Sequence, residues 1–218
     1  MIAKSATADL GLQPPQQARS RAALQRLLAS AEHVLVNEGP EAFTIARVAE
    51  HARVSVGGVY RRFANKEQLI EAVRHALLEQ LEDAITEALD AQSSSLGDVV
   101  GAFTAALSRT LDKSGRIIPV ILAGGLKVES PERGLHTIAN LQRRFLDAAS
   151  PFHEEIRRPD PIRSLDIAFR SVIAAGAHRI AISQWWPDGL TWQQWTCELT
   201  DMTIAYLTAE PQNGSAAT

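Results

Sequence analysis

The sequence predicts an all-α protein, with a small helical head near the N-terminus and a longer helical body behind it. Three observations carry that reading. Leu24, Leu27, Leu28, Ala31 and Leu35 recur at the i, i+3, i+4, i+7 spacing of an amphipathic helix, and the same period returns in most later segments. Two shorter apolar-periodic stretches follow, with only Ala52-Arg53-Val54 between them. No stretch alternates apolar and polar residues between hairpin turn signals, and no repeat recurs at solenoid periods.

Each element has its own signals. Residues 1–17, with PPQQ, and 210–218 are polar, small or proline-bearing and are expected to be flexible tails. The first helix stops at Asn37-Glu38-Gly39-Pro40. Thr44 is placed to N-cap a second helix that buries Ile45, Val48, Ala49 and Ala52. Ser55 caps a third, with Val54 and Val59 at the spacing of a hydrophobic staple. Asn65 and Gln68 form a capping-box pattern for a long fourth helix with Ile70, Val73, Leu77, Leu81, Ile85 and Leu89 on one face. These set a head at 18–64 and a body at 65–209. After Gln92-Ser93-Ser94-Ser95, Val99, Val100, Phe103, Leu107 and Leu111 give one helix and Ile117 to Leu122 a shorter one. Pro131 opens another, with Leu135, Ile138, Leu141 and Phe145 inward. Asp160-Pro161 opens a long helix with Ile162, Leu165, Phe169, Val172, Ile173 and Ile180 inward. Thr191 with Gln194 opens the last, lined by Trp195, Leu199, Met202 and Tyr206.

Composition narrows the function. The 218 residues are enough for a sizeable core. A formal net charge of −3 hides an asymmetry: residues 1–75 hold 10 Lys and Arg against 7 Asp and Glu, and the remainder 12 against 18. A mildly basic head thus precedes an acidic body, which suggests different partners. The single cysteine, Cys197, cannot form an internal disulfide, and its Trp- and Leu-rich helix predicts burial. The N-terminus lacks the apolar core of a secretory signal, and no apolar run reaches the ~20 residues of a membrane span. The expected location is the cytoplasm, with no membrane partner.

Catalytic patterns are missing. The histidines (His33, His51, His75, His136, His153 and His178) form no His-Glu-x-x-His, and there is no phosphate loop or nucleophile elbow. His153-Glu154-Glu155, beside Arg157 and Arg158, reads as a solvated charge cluster before it reads as a metal site. The expectation is a non-enzyme with no catalytic residue, no cofactor and no metal.

The stretch VSVGGVYRRF, Val54 to Phe63, poses the functional question, because each glycine within a helix costs about 1 kcal/mol relative to alanine. Two short helices joined by a tight turn after a longer one match a helix-turn-helix, whose second member lies in the DNA major groove. There Gly57 and Gly58 let backbone approach base edges or phosphates, while Val59 and Phe63 anchor the helix. Tyr60 is as readily core as contact; Arg61 and Arg62, taken alone, would be a solvated face. Lys66 opposes the positive end of the fourth helix, a conflict that a phosphate would resolve. Arg19 and Arg21 could grip the DNA backbone at the start of the first helix.

The run from Arg21 through Leu69, with TIARVAEHARVSVGGVYRRFANKEQLIEAV at its heart, resembles the DNA-binding head of the TetR family of transcriptional regulators. The family pattern is met by Thr44, Val48-Ala49, Val54-Ser55, Gly57, Val59-Tyr60, Phe63 and Lys66-Glu67-Gln68-Leu69, about a quarter of the chain. By position, the resemblance implies that Thr44, Ser55, Tyr60, Arg62 and Lys66 meet phosphates, while Val56, Gly57 and Gly58 face the groove. Three residues depart from it. Gly58 stands where threonine or another polar residue is usual, Arg62 where histidine or tyrosine is common, and Arg53 where glycine is frequent in the turn. With no side chain at Gly58, base readout falls to Arg53, Val56 or Arg61, or to DNA shape.

For the rest of the chain the resemblance implies a body that binds a small-molecule effector and dimerises. Reading a palindromic, double-stranded operator needs two recognition helices ~34 Å apart, hence a homodimer, expected through the last two helices. Ala174-Ala175-Gly176-Ala177 would let a partner helix pack close. Trp185, Trp186, Trp192 and Trp195 gather around a Pro-Asp-Gly turn, where they serve either a dimer contact or the closed end of a core. The effector pocket is expected among Phe103, Leu107, Ile121, Leu122, His136, Leu141 and Phe145, each of which could equally be core filling. The resulting expectation is a ligand-responsive DNA-binding regulator, with repression the commoner behaviour in the family. The alternative is a helical ligand-binding or catalytic bundle whose head is not used on DNA.

Overall fold

A computed structural model describes residues 15–114, 131–183 and 185–210, all in helices and their connections. The chain divides into two compact units, Met1–Leu69 and Ile70–Thr218. The first contains α1 (Pro15–Asn37), α2 (Gly39–Ala42), α3 (Ile45–Ala52), α4 (Val56–Tyr60) and the opening turn of α5 (Lys66–Asp90). Helix α1 begins at Pro15, so residues 15–17 are helical where the tail was expected to run on to Gln17. Proline is well suited to a first turn, having a preset φ and no N–H to satisfy.

Leu27, Ala31, Val34 and Leu35 give α1 its buried stripe, and the helix packs on α2 and α3. The one-turn α2 occupies the site read as a simple stop. Gly39 turns the chain at φ +85°, a value that favours glycine, and Pro40 sits in the first turn that follows. After the turn Phe43 is fully buried, as are Val48 and Val59, with Phe63 nearly so.

The second unit holds the remainder of α5, then α6 (Leu96–Ser114), α7 (Pro131–Ala149), a 3₁₀ segment (Ser150–Glu155), α8 (Pro161–Ile182) and α9 (Trp192–Thr208). Its centre is a triad of rings from three helices. Phe103 of α6 lies 4.9 Å from Phe145 of α7 and 5.3 Å from Phe169 of α8. Helix α9 lies along α6 through small and polar residues, with the Thr104 and Thr200 hydroxyls 2.5 Å apart and Thr196 Oγ1 donating to Ser108 Oγ at 2.6 Å. Glu155 accepts from the Leu96 N–H at 3.1 Å, so one member of the His153-Glu154-Glu155 cluster satisfies the N-terminus of α6.

Helix phase explains where inward expectations fail. Ile162 and Leu135 are exposed; each lies ahead of the first residue of its helix described as buried, Ser164 and Thr137 respectively. Along α9 the buried residues are Leu199, Thr203 and Leu207. At about 100° per residue Cys197 lies about 200° from Leu199, so it is exposed where burial was expected, and Met202 is turned outward as well. The short helix expected at Ile117 to Leu122 lies outside the described residues.

Gly176 also corrects an expectation. It is buried within its own unit, and a Cβ there would come within 2.7 Å of Leu111 Cδ1 and 3.4 Å of Leu107 Cδ2. The glycine in the small-residue run therefore lets α8 approach α6 rather than a second chain. Ala174 and Ala177 are exposed.

Candidate nucleic-acid interface

The turn between α3 and α4 is built by local caps. Thr44 Oγ1 accepts from the Arg47 N–H at 3.1 Å and starts α3. Arg53 ends it in the left-handed region (φ 56°, ψ 44°), its N–H donating to the Ala49 and Glu50 carbonyls while the Val54 N–H donates to Ala49 O at 2.9 Å. Ser55 then caps α4, its Oγ accepting from the Gly58 N–H at 3.0 Å. Val59 and Phe63 are buried, which fixes α4 against the head.

The opposite face of α4 is bare. Val56 is 43% and Tyr60 53% exposed, and Gly57, Arg61 and Arg62 are exposed beside them. The two glycines serve different ends. A Cβ on Gly57 would meet nothing within 4 Å, so its smallness matters only to something arriving from outside. A Cβ on Gly58 would come 3.1 Å from Ser55 Oγ, the atom that caps the helix, and 3.6 Å from Arg61 Nη2.

The remaining expected contact residues lie on α1, just after α4 and at the start of α5. Arg62 lies 3.3 Å through Nη2 from Ser20 Oγ, tying the turn after α4 to the beginning of α1. Arg21 is exposed on α1, and the Arg19 side chain lies outside the described part. Lys66 is half-buried, its Nζ 5.5 Å from the centroid of the Phe43 ring. Asn65 Oδ1 accepts from the Gln68 N–H at 2.8 Å as the capping box requires, while Gln68 Oε1 reaches back to the Ala64 N–H.

One feature of the head was not foreseen. Arg47 of α3 forks onto Glu38, with Nε to Oε2 at 2.7 Å and Nη2 to Oε1 at 3.0 Å, and also reaches Glu50 at 2.8 Å. The hydrogen bond from Arg47 holds the Glu38 carboxyl below its ordinary pKa, helped by His33 and His51. Those two imidazoles stack with centroids 4.3 Å apart and join α1 to α3. The Arg47-Glu50 spacing is visible in sequence; the nine-residue reach to Glu38 depends on how α2 turns the chain.

In the body, Phe103, Leu107, Leu141 and Phe145 are fully or nearly fully buried and pack on one another, while His136 is exposed and does not join them. Ile121 and Leu122 lie outside the described residues. The tryptophans divide. Trp192 and Trp195 pack edge to face at 5.5 Å, with the Arg179 guanidinium 4.7 Å from the first ring and bound to Asp188. Trp185 and Trp186 are 72% and 74% exposed. No group of three or more His, Cys, Asp or Glu is arranged to hold a metal, and no helix is long and apolar enough to cross a membrane, among the described residues.

The described residues thus form a capped helix-turn-helix with a bare second helix, followed by an all-helical body. Residues 27–73 match the family of bacterial regulatory proteins called tetR. That match lies within the head and the first turns of α5, about a fifth of the chain, and makes this part similar to the tetR family's. The HTH-type transcriptional repressor Rv3405c of Mycobacterium tuberculosis is 28% identical over 128 residues, which span 59% of this chain and 59% of that protein. The overall architecture is similar to that of the TetR family transcriptional regulator PfmR from Thermus thermophilus (TM-score 0.61, 20% identity, 86% of this chain and 97% of that one). It is also similar to that of the ketosteroid transcriptional regulator KstR2 of M. tuberculosis (TM-score 0.62, 20% identity, 86% and 95%).

Proposed function

We propose that this protein is a ligand-responsive transcriptional repressor that binds a palindromic operator as a dimer and is released by a small-molecule effector. The observation that carries the proposal is the outer face of α4. Val56, Gly57, Tyr60 and Arg61 are exposed together, on a helix that Val59 and Phe63 hold rigidly from behind. A surface poor in side chains, with a guanidinium and a phenol at its edge, suits close approach to a duplex. The repressor similar over 59% of the chain supports the same reading.

Arg21, Thr44, Ser55, Tyr60, Arg62 and Lys66 are assigned to the DNA backbone, with Arg19 alongside. Phosphate contacts set affinity and register, and each carries a salt dependence. Residues 18–64 form the DNA-binding domain and 65–209 the effector-binding and dimerisation domain. Dimerisation is assigned to α8 and α9, where Ile167, Ala174, Ala177 and Met202 are exposed. The effector is assigned to the body, beside the layer of Phe103, Leu107, Leu141 and Phe145. It acts by favouring one arrangement of the two heads over another, and can shift that balance only by its differential affinity.

The test is an electrophoretic shift with the DNA flanking the protein's own coding region. Retardation that weakens steeply with salt and is lost in Tyr60→Ala or Lys66→Ala supports the proposal. Equal retardation of unrelated DNA, unchanged in both variants, overturns it. For the coupling, a small molecule that binds the body without changing operator affinity contradicts the effector assignment.

A further inference from the structure

Resting on the DNA-binding reading above, we infer that Arg61 is the base-reading side chain of the head, and that Gly58 is what delivers it to the groove. The residues that could read bases are few, and the structure separates them. Arg62 reaches back to Ser20 on α1. Lys66 lies over Phe43. Arg53 lies in the connecting turn before α4 rather than on it, its side chain exposed and its backbone N–H ending α3. Arg61 follows the last residue of α4, is exposed, and has no hydrogen-bond or ion-pair partner for its guanidinium among the described residues.

Side chains on a helix lean toward its N-terminus, so a residue at i+3 lies over residue i. Arg61 lies over Gly58 in this way, its Nη2 3.6 Å from where a Cβ would stand. Any longer side chain at position 58 would occupy that space. It would also press on Ser55 Oγ, 3.1 Å from the same point, and disturb the cap that starts the helix. Gly58 thus keeps the cap intact and leaves open the space beside which the Arg61 guanidinium lies. The neighbouring exposed positions, Val56 and Gly57, offer no polar group.

A guanidinium on the groove side of a recognition helix has one well-matched base. Its two parallel N–H donors meet O6 and N7 of guanine, an acceptor pair that no other base presents in the major groove. The inference therefore names the partner chemistry: each operator half-site contains a guanine read by Arg61, at a position where substitution of the base lowers affinity about 10- to 100-fold.

The experiment is a selection from random double-stranded DNA using the full-length protein, with wild type, Arg61→Ala, Arg61→Lys, Gly58→Thr and Arg62→Ala compared and each variant's helicity and melting checked. The wild type is expected to enrich inverted repeats with a fixed G·C pair in each half. Arg61→Ala should lose preference at that pair alone, Gly58→Thr should lose it together with some affinity for every sequence because the cap is also pressed, Arg61→Lys should retain part of it, and Arg62→Ala should weaken all sequences alike. An Arg61→Ala variant that keeps the same preference overturns the inference. So does one that weakens selected and unselected DNA equally while lowering the salt slope by about one phosphate contact. If the wild type enriches no sequence and binds no duplex, the DNA-binding reading itself fails, and this inference with it.

Discussion

Arg53 holds a left-handed backbone at φ 56°, a conformation that costs a residue bearing a Cβ about 1–2 kcal/mol. Arg53→Gly is therefore expected to raise the stability of the head by about 1 kcal/mol, read as a higher melting temperature; unchanged or reduced stability would contradict the strain. Gly57 gives a second prediction, in which stability and DNA binding move in opposite directions. Alanine meets open space there and gains helix propensity of about 1 kcal/mol, so Gly57→Ala should melt higher yet bind operator DNA more weakly. A variant that is both more stable and equally tight would show that backbone approach at this residue is unimportant. At this scale the sequence was informative where the chemistry is local. Thr44, Ser55 and Thr191 each cap the helix they were expected to cap, because a cap spans only three residues. Cys197 was misjudged because burial depends on phase against a neighbour that local composition does not define.

Helices pack by their phase and by the few small residues that let them approach. Gly176 meets Leu107 and Leu111 of α6, so Gly176→Ala should overpack that contact and destabilise the body by about 1–3 kcal/mol, measured by denaturant unfolding. A neutral effect would mean that Leu111 moves freely. The α1–α3 junction carries a pH signature. Arg47 holds the folded-state pKa of Glu38 below its ordinary value, so the clamp contributes stability above the unfolded value of about 4.3. That contribution is lost as pH falls through the lower, folded-state value. Glu38→Gln should therefore melt below wild type at pH 7, with the difference closing in acid; a difference independent of pH would remove the carboxylate from the account. This clamp was illegible in the sequence because its partners meet only after α2, a turn made by Gly39 and Pro40 where a plain helix stop was read. The tryptophans were legible as a cluster but not in their division, since Arg179 and Asp188 decide which two rings are drawn in.

For the whole molecule, the proposed function calls for a dimer that presents two recognition helices to one operator, and α8 and α9 carry exposed apolar residues in the form of Ile167 and Met202. Replacing both with glutamate should shift full-length protein toward monomer in sedimentation and weaken operator binding while leaving helicity intact; a dimer that persists would move the interface elsewhere. The fold class and the helix-turn-helix were legible because periodicity and capping repeat along the chain. The proposed ligand site of the body was not, because Phe103 and Phe145 have the same apolar signature whether they line a cavity or fill a core, and here they pack on each other. The central claim, that the bare face of α4 meets duplex DNA, is tested most directly by hydrogen exchange of the full-length protein with and without its flanking DNA. Slowed exchange of the amides from Val56 to Arg62 in the complex is the predicted result. Bound DNA that leaves those amides exchanging as in the free protein would contradict it.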